Sequence, residues 1–180
     1  MSESKPSRFA FVPNLITTLR VLLVPVIVLA VVHNDWHGAA IWFAIAAFTD
    51  FLDGYSARRF ELTSTAGQFF DPIADKILLV AATLACAYVH RIPIWFVIVV
   101  AGRDVLLIIG ALAGILFTSY RKYEPTQLGK LSTLLQIGVV MAAFTLPQQF
   151  VNMVVWPSAL VTASSGIHYL WRAAMGMRTE

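Results

Sequence analysis

An all-α integral membrane protein of six transmembrane helices is the fold class that this sequence predicts, and three observations carry the prediction. Hydrophobic residues make up 58% of the 180-residue chain and charged residues only 13%, with a mean hydropathy of +0.74. Such a composition lies outside the range of an ordinary water-soluble domain. The apolar residues fall into six runs long enough to cross a bilayer, at about 15–32, 38–59, 72–90, 93–119, 128–146 and 151–174. Most of the links between them are short, which makes successive helices antiparallel neighbours.

The first run follows Lys5 and Arg8, as a signal peptide would. It is too long for an ordinary signal and ends in His33-Asn34-Asp35 without a small-residue cleavage site, so a retained span is expected. Because apolar runs occupy nearly the whole chain, residues 1–180 are expected to form a single membrane domain. Cys86 is the only cysteine, which excludes an intramolecular disulfide and leaves no companions for a zinc or iron–sulfur site. Lys5, Arg8, Arg20, Arg58, Arg59, Lys76, Arg121, Lys122, Lys130, Arg172 and Arg178 share one side if the termini do, and the opposite loops hold only Arg91. Both termini are therefore expected inside. The formal charge of +3 makes the inner rim basic, suited to anionic headgroups and phosphorylated solutes; no nucleic-acid partner is expected. The histidines carry no assigned role. Trp36, Trp95 and Trp156 flank helix ends as interface anchors.

Against this background four carboxylates stand out: Asp50, Asp53, Asp71 and Asp75. A lone charge in an apolar span is severely penalised, so these acids must meet water, pair with cations or hold metal. On the second helix Asp50, Asp53 and Ala57 follow one face, with Gly54 and Arg58 on an adjoining strip. Asp71 and Asp75 are one turn apart at the expected start of the third helix, where Pro72 is tolerated in the first turn. A loop of roughly a dozen residues, 59–70, lets the two helices turn back and bring the acids together. Oxygen ligands without imidazole or thiolate select Mg2+ or Mn2+, and four negative charges can accommodate two ions. Gly54 and Gly67 leave room for a ligand to approach the backbone, and Arg58 can fork onto phosphate oxygens. The set suits a nucleotide diphosphate. Asp–Arg pairs that merely tie helices together are the structural alternative.

The pattern Asp50-x2-Asp53-Gly54-x2-Ala57-Arg58-x8-Gly67-x3-Asp71-x3-Asp75 resembles, at every fixed position, the signature of the CDP-alcohol phosphatidyltransferase family. The resemblance extends over the six-helix arrangement. It implies a six-helix membrane fold, a homodimer, and a polar site open to the cytoplasmic face that transfers a substituted phosphoryl group from a CDP-linked donor to an alcohol, releasing CMP. It further implies that Asp50, Asp53, Asp71 and Asp75 bind metal, that Asp75 is the candidate base beside Asp71, and that Gly54, Ala57, Arg58 and Gly67 shape the CDP site. Asn14 and Thr17, with Arg20 on one face of the first helix, are similar to the pattern that borders the nucleotide in lipid-making members. An interface cap and an inside charge would also account for them.

Arg103-Asp104 falls inside the fourth run, either as an internal pair or with Arg103 directed into an acceptor pocket. Lys130, Thr133 and Gln136 are expected near one face of the fifth helix, with Lys130 as an acceptor clamp, and Arg121 and Lys122 in the preceding loop as further candidates. These features resemble the branch of the family that uses CDP-diacylglycerol with glycerol 3-phosphate or with phosphatidylglycerol. Compact length favours glycerol 3-phosphate and the cytoplasmic (inner) membrane of a bacterial cell. Of the other classes, a divalent-cation channel needs polar groups continuing across the bilayer, and the opposite halves of the helices supply none comparable. A purely structural scaffold would leave the acids apart.

Overall fold

The computed structural model describes the backbone of residues 11–60, 65–117 and 127–176, and the side chains of residues 18–49, 74–110 and 127–171. Six helices are present among the described residues: α1 (Phe11–Val32), α2 (Trp36–Phe60), α3 (Thr65–Tyr88), α4 (Ile94–Phe117), α5 (Gln127–Thr145) and α6 (Gln148–Gly176). The shortest has 19 residues and the longest 29, or about 28 to 44 Å at 1.5 Å per residue. Among the described residues, Gln127–Thr145 and Gln148–Trp171 are helices long and apolar enough to cross a membrane, and Thr18–Val32 and Trp36–Thr49 are shorter apolar stretches.

The expected loop at 59–70 is not observed. α2 continues to Phe60 and α3 begins at Thr65, so Gly67 and Asp71 are already helical and Pro72 lies in the helix interior rather than its first turn. Hydropathy marks where a chain enters an apolar solvent, whereas a helix can extend past that boundary because its hydrogen bonds are internal.

The chain forms two compact units, Met1–Ala85 and Cys86–Glu180. In the first, α1 packs on α2. Arg20, Leu23, Ile27 and Val31 of α1, Ala39, Phe43 and Ala46 of α2, and Ala74, Leu78, Ala82 and Ala85 of α3 are buried. Each set recurs every three or four residues, the repeat of one helical face. The alanines on α2 suit close packing against α1, the usual route to helix association where lipid removes the hydrophobic advantage of large side chains.

In the second unit α6 packs on both α4 and α5. Contacts fix the helix directions. Trp95 of α4 stacks on Trp156 of α6 with ring centroids 4.7 Å apart, and further along both helices the Tyr169 ring lies over Gly110, so α4 and α6 run parallel. A Cβ at Gly110 would come within 2.5 Å of Tyr169 Cε1, which makes glycine necessary for this approach.

Polarity is distributed as a bilayer requires. Leu22, Ile98, Leu134, Leu160 and Ile167 are 62–68% exposed, while Arg20, Arg103, Ser132, Gln136, Thr162 and Ser165 are buried. Exposed apolar residues with polar groups inside reverse the distribution of a water-soluble domain and suit a membrane. The protein is membrane-associated.

The turns after α1 and α3 are built alike. Asn34 and His90 have φ of 60° and 59°. Asp35 N–H donates to Ala30 O (2.9 Å) and Asn34 N–H to Val31 O (3.0 Å); Arg91 N–H donates to Cys86 O (2.8 Å) and His90 N–H to Ala87 O (3.0 Å). Each is a left-handed cap that satisfies carbonyls at the helix end. Asp35 then caps α2, its Oδ1 accepting from Gly38 N–H at 2.9 Å.

Candidate active site

In the first unit the decisive geometry is an ion pair between α1 and α3: Arg20 Nη1 donates to Asp75 Oδ1. The arginine side chain is 1% exposed and the carboxylate 43%. Arg20 is therefore enclosed by the helices, while Asp75 presents itself toward the accessible side. Position 20 lies inside an apolar run, and an arginine there needs an anion. That signal could have identified Arg20 as a site residue, but the sequence does not say which acid it meets.

The remaining signature residues are located by their helices. Asn14 and Thr17 lie in the N-terminal part of α1; Asp50, Asp53, Gly54, Ala57 and Arg58 lie in the C-terminal part of α2; Gly67 and Asp71 lie near the start of α3. Their side chains are outside the described residues, as are Arg121 and Lys122 altogether. Among the described residues no group of three metal-ligating side chains occurs. The donor chemistry of the acids nevertheless fits a hard divalent cation, because each offers only carboxylate oxygen, and the accessible Asp75 can contribute from its partly exposed carboxylate.

The second unit holds a buried cation, Arg103. Arg103 is 8% exposed. Its Nη1 donates to Asp104 Oδ1 at 2.8 Å and its Nη2 reaches Gly129 O at 3.5 Å, while Nε has no hydrogen-bond partner. A guanidinium carries five N–H donors, so this one retains donor capacity inside the protein. Lys130 is exposed beside Gly129 at the start of α5.

The expected shared face of α5 does not hold. Lys130 and Thr133 are exposed, whereas Gln136 is buried with Ser132. Six residues at 3.6 per turn place positions 130 and 136 about 120° apart, while 132 and 136 are successive on one face. Gln136 Nε2 donates to Ser132 Oγ at 3.1 Å and approaches Thr162 Oγ1 of α6 at 3.4 Å; the two hydroxyls are 2.9 Å apart. Ser132 and Thr162 carry no signal in the sequence beyond being polar residues inside apolar runs.

The profile of the CDP-alcohol phosphatidyltransferase family matches residues 10–164, a span that contains the signature and all six helices in whole or part. The chain belongs to the CDP-alcohol phosphatidyltransferase family. This is an enzyme family, and the match includes both the Asp75 and Arg103 centres. Among relatives, a CDP-diacylglycerol–glycerol-3-phosphate 3-phosphatidyltransferase of Bacillus subtilis is 31% identical over 93% of this chain and 97% of its own length. A probable phosphatidylglycerophosphate synthase of Mycobacterium tuberculosis is 32% identical over 93% of this chain and 83% of its own. A cardiolipin synthase (CMP-forming) / mitochondrial hydrolase fusion protein of Schizosaccharomyces pombe is 34% identical over 75% of this chain, which spans only 25% of that protein. As a CDP-alcohol phosphatidyltransferase the chain is thus similar to relatives named for glycerol 3-phosphate transfer and for phosphatidylglycerophosphate synthesis and to one named for cardiolipin synthesis.

Proposed function

We propose that this protein is a phosphatidyltransferase that uses CDP-diacylglycerol and sn-glycerol 3-phosphate to form phosphatidylglycerophosphate and CMP. The observation that supports a phosphorylated acceptor is Arg103, a buried guanidinium that pairs with Asp104, keeps an Nε without a partner, and reaches with Nη2 the carbonyl of Gly129, the chain neighbour of exposed Lys130. An anionic group suits such a pair because guanidinium forks onto phosphate oxygens and an ammonium adds a movable point charge. Glycerol 3-phosphate brings a phosphate monoester; phosphatidylglycerol brings only a diester.

In this reaction the acceptor hydroxyl oxygen forms a bond to the phosphorus that carries the diacylglycerol, and the bond from that phosphorus to the CMP oxygen breaks. The hydroxyl proton passes to a carboxylate, for which Asp75 is the candidate, held by Arg20. Asp50, Asp53, Asp71 and Asp75 would hold divalent cation, Mg2+ or Mn2+, which supplies charge neutralisation at the diphosphate. Gly54, Ala57, Arg58 and Gly67, with Asn14 and Thr17, would bind the CDP moiety. Arg121 and Lys122 would add positive charge on the acceptor's approach.

The same reading makes the six helices transmembrane spans of one membrane domain over residues 1–180, working as a homodimer in a bacterial inner membrane. The termini and the site face the cytoplasm. Support comes from the basic inner residues, the lipid-suited surface and full-length likeness to the Bacillus subtilis transferase.

The test is product formation from labelled CDP-diacylglycerol and magnesium, with glycerol 3-phosphate or phosphatidylglycerol as acceptor in the same detergent. Phosphatidylglycerophosphate plus CMP is expected. Cardiolipin plus CMP with phosphatidylglycerol alone would reassign the acceptor, a second reading that the Schizosaccharomyces pombe relative supports.

A further inference from the structure

We propose that Ser132, Gln136 and Thr162 form a positioning device that sets acceptor affinity by holding the start of α5 in register against α6 around Arg103. The inference rests on the reading of Arg103 as an acceptor-phosphate ligand.

The geometry is a closed frame. On α6, Thr162 binds Ser132 of α5, and one turn further Gly166 carries the Arg103 stem: a Cβ on Gly166 would lie 3.6 Å from Arg103 Cγ. On α5, Gly129 lies about one turn before Ser132, and its carbonyl is what Arg103 Nη2 reaches at 3.5 Å. Arg103, on α4, therefore packs its stem on α6 and reaches α5 with its guanidinium, one turn from the Ser132–Thr162 contact that joins those two helices. At 3.5 Å that reach is already at the outer limit of a hydrogen bond, so a small slide of α5 breaks it. The same slide moves Lys130, which follows Gly129 in the chain.

Gln136 locks the contact. Its Nε2 faces both hydroxyls, at 3.1 and 3.4 Å, and the three side chains are 0–3% exposed. In an apolar core such a cluster is held together because its members would otherwise go unsatisfied. Ser158 supplies a built-in control: it lies on α6 one turn before Thr162, is fully buried, and its Oγ has no hydrogen-bond partner. It shares the packing but not the network.

The experiment uses the full-length purified protein and whichever of glycerol 3-phosphate and phosphatidylglycerol it accepts. The acceptor KM, CDP-diacylglycerol KM, kcat and Tm are measured for Thr162→Val, Gln136→Leu, Thr162→Ser, Ser158→Ala and Arg103→Gln. Thr162→Val and Gln136→Leu are expected to raise acceptor KM about tenfold, with donor KM and kcat within about twofold of the parent. Thr162→Ser, which keeps the hydroxyl, retains parental acceptor KM, and so does Ser158→Ala. In an Arg103→Gln background Thr162→Val adds no further rise, a result that general loosening of the bundle would not produce. Thr162→Val preserves shape and volume, so it decides the question should Gln136→Leu not fold.

Parental acceptor KM in Thr162→Val, an equal rise in Ser158→Ala, or a matching rise in donor KM overturns the inference. Failure of the underlying reading is seen separately, as unchanged acceptor KM in Arg103→Gln.

Discussion

Arg20 and Asp75, 55 positions apart in the chain, meet as an ion pair between α1 and α3. The guanidinium is enclosed and the carboxylate partly accessible, so the buried partner orients the one that can meet a ligand. Removing Arg20 forfeits a charge-assisted hydrogen bond worth about 1.5–3 kcal/mol and lets Asp75 turn. Arg20→Ala is expected to lower kcat/KM by about tenfold or more, with Arg20→Lys intermediate because it keeps charge without the planar fork. Steady-state CMP release measures this; parental kcat/KM in Arg20→Ala would remove Arg20 from the site.

Asp71→Asn and Asp75→Asn conserve size and exchange a charged oxygen ligand for a neutral amide. Each is expected to abolish magnesium-dependent CMP release while membrane insertion is retained. Titrating Mg2+ and Mn2+ in a labelled-CMP assay checks both, and near-parental turnover in either variant would overturn that residue's metal or base role.

For the acceptor, Arg103→Lys and Lys130→Ala are each expected to raise acceptor KM about tenfold, with CDP-diacylglycerol KM little changed. The split between the two KM values is the informative readout. Equal effects on both substrates would point to general disturbance of the bundle instead of acceptor binding.

Arg91 serves stability. Its Nε and Nη2 donate to Ala143 O at 3.0 and 2.8 Å, Nη2 also to Leu146 O at 2.8 Å, and Nη1 to Gln148 Oε1 at 3.3 Å. Gln148 Nε2 returns a bond to Arg91 O at 3.0 Å. The cation thus covers the carbonyl end of α5, where the helix dipole is negative. Arg91→Ala is expected to cost about 1–3 kcal/mol and lower Tm by roughly 2–10 °C, while acceptor and donor KM stay parental below the transition. A thermal melt in detergent decides it, and an unchanged Tm would refute the cap.

Much of the fold was legible because it is local. Apolar runs and helical spacing placed all six helices, and the spacing of Asp50, Asp53, Asp71 and Asp75 pointed to the family. The start of α3 is not legible in hydropathy, because the hydropathy edge near residue 72 is not the helix edge at Thr65. The spacing of Lys130, Thr133 and Gln136 suggests a common face, yet it accumulates about 120° over six residues, which turns Gln136 inward and leaves Lys130 exposed.

The sequence by itself determined the apolar solvent, the helices and the family, since hydrophobicity and short-range spacing are properties of the chain alone. Only the tertiary structure decided the partners: Arg20 with Asp75, Arg103 with Asp104 and the Gly129 carbonyl, and Ser132 with Thr162 and Gln136. Contacts between helices depend on how far each is rotated and slid against its neighbour, and hydropathy leaves both open, because a helix in lipid is apolar on nearly every side.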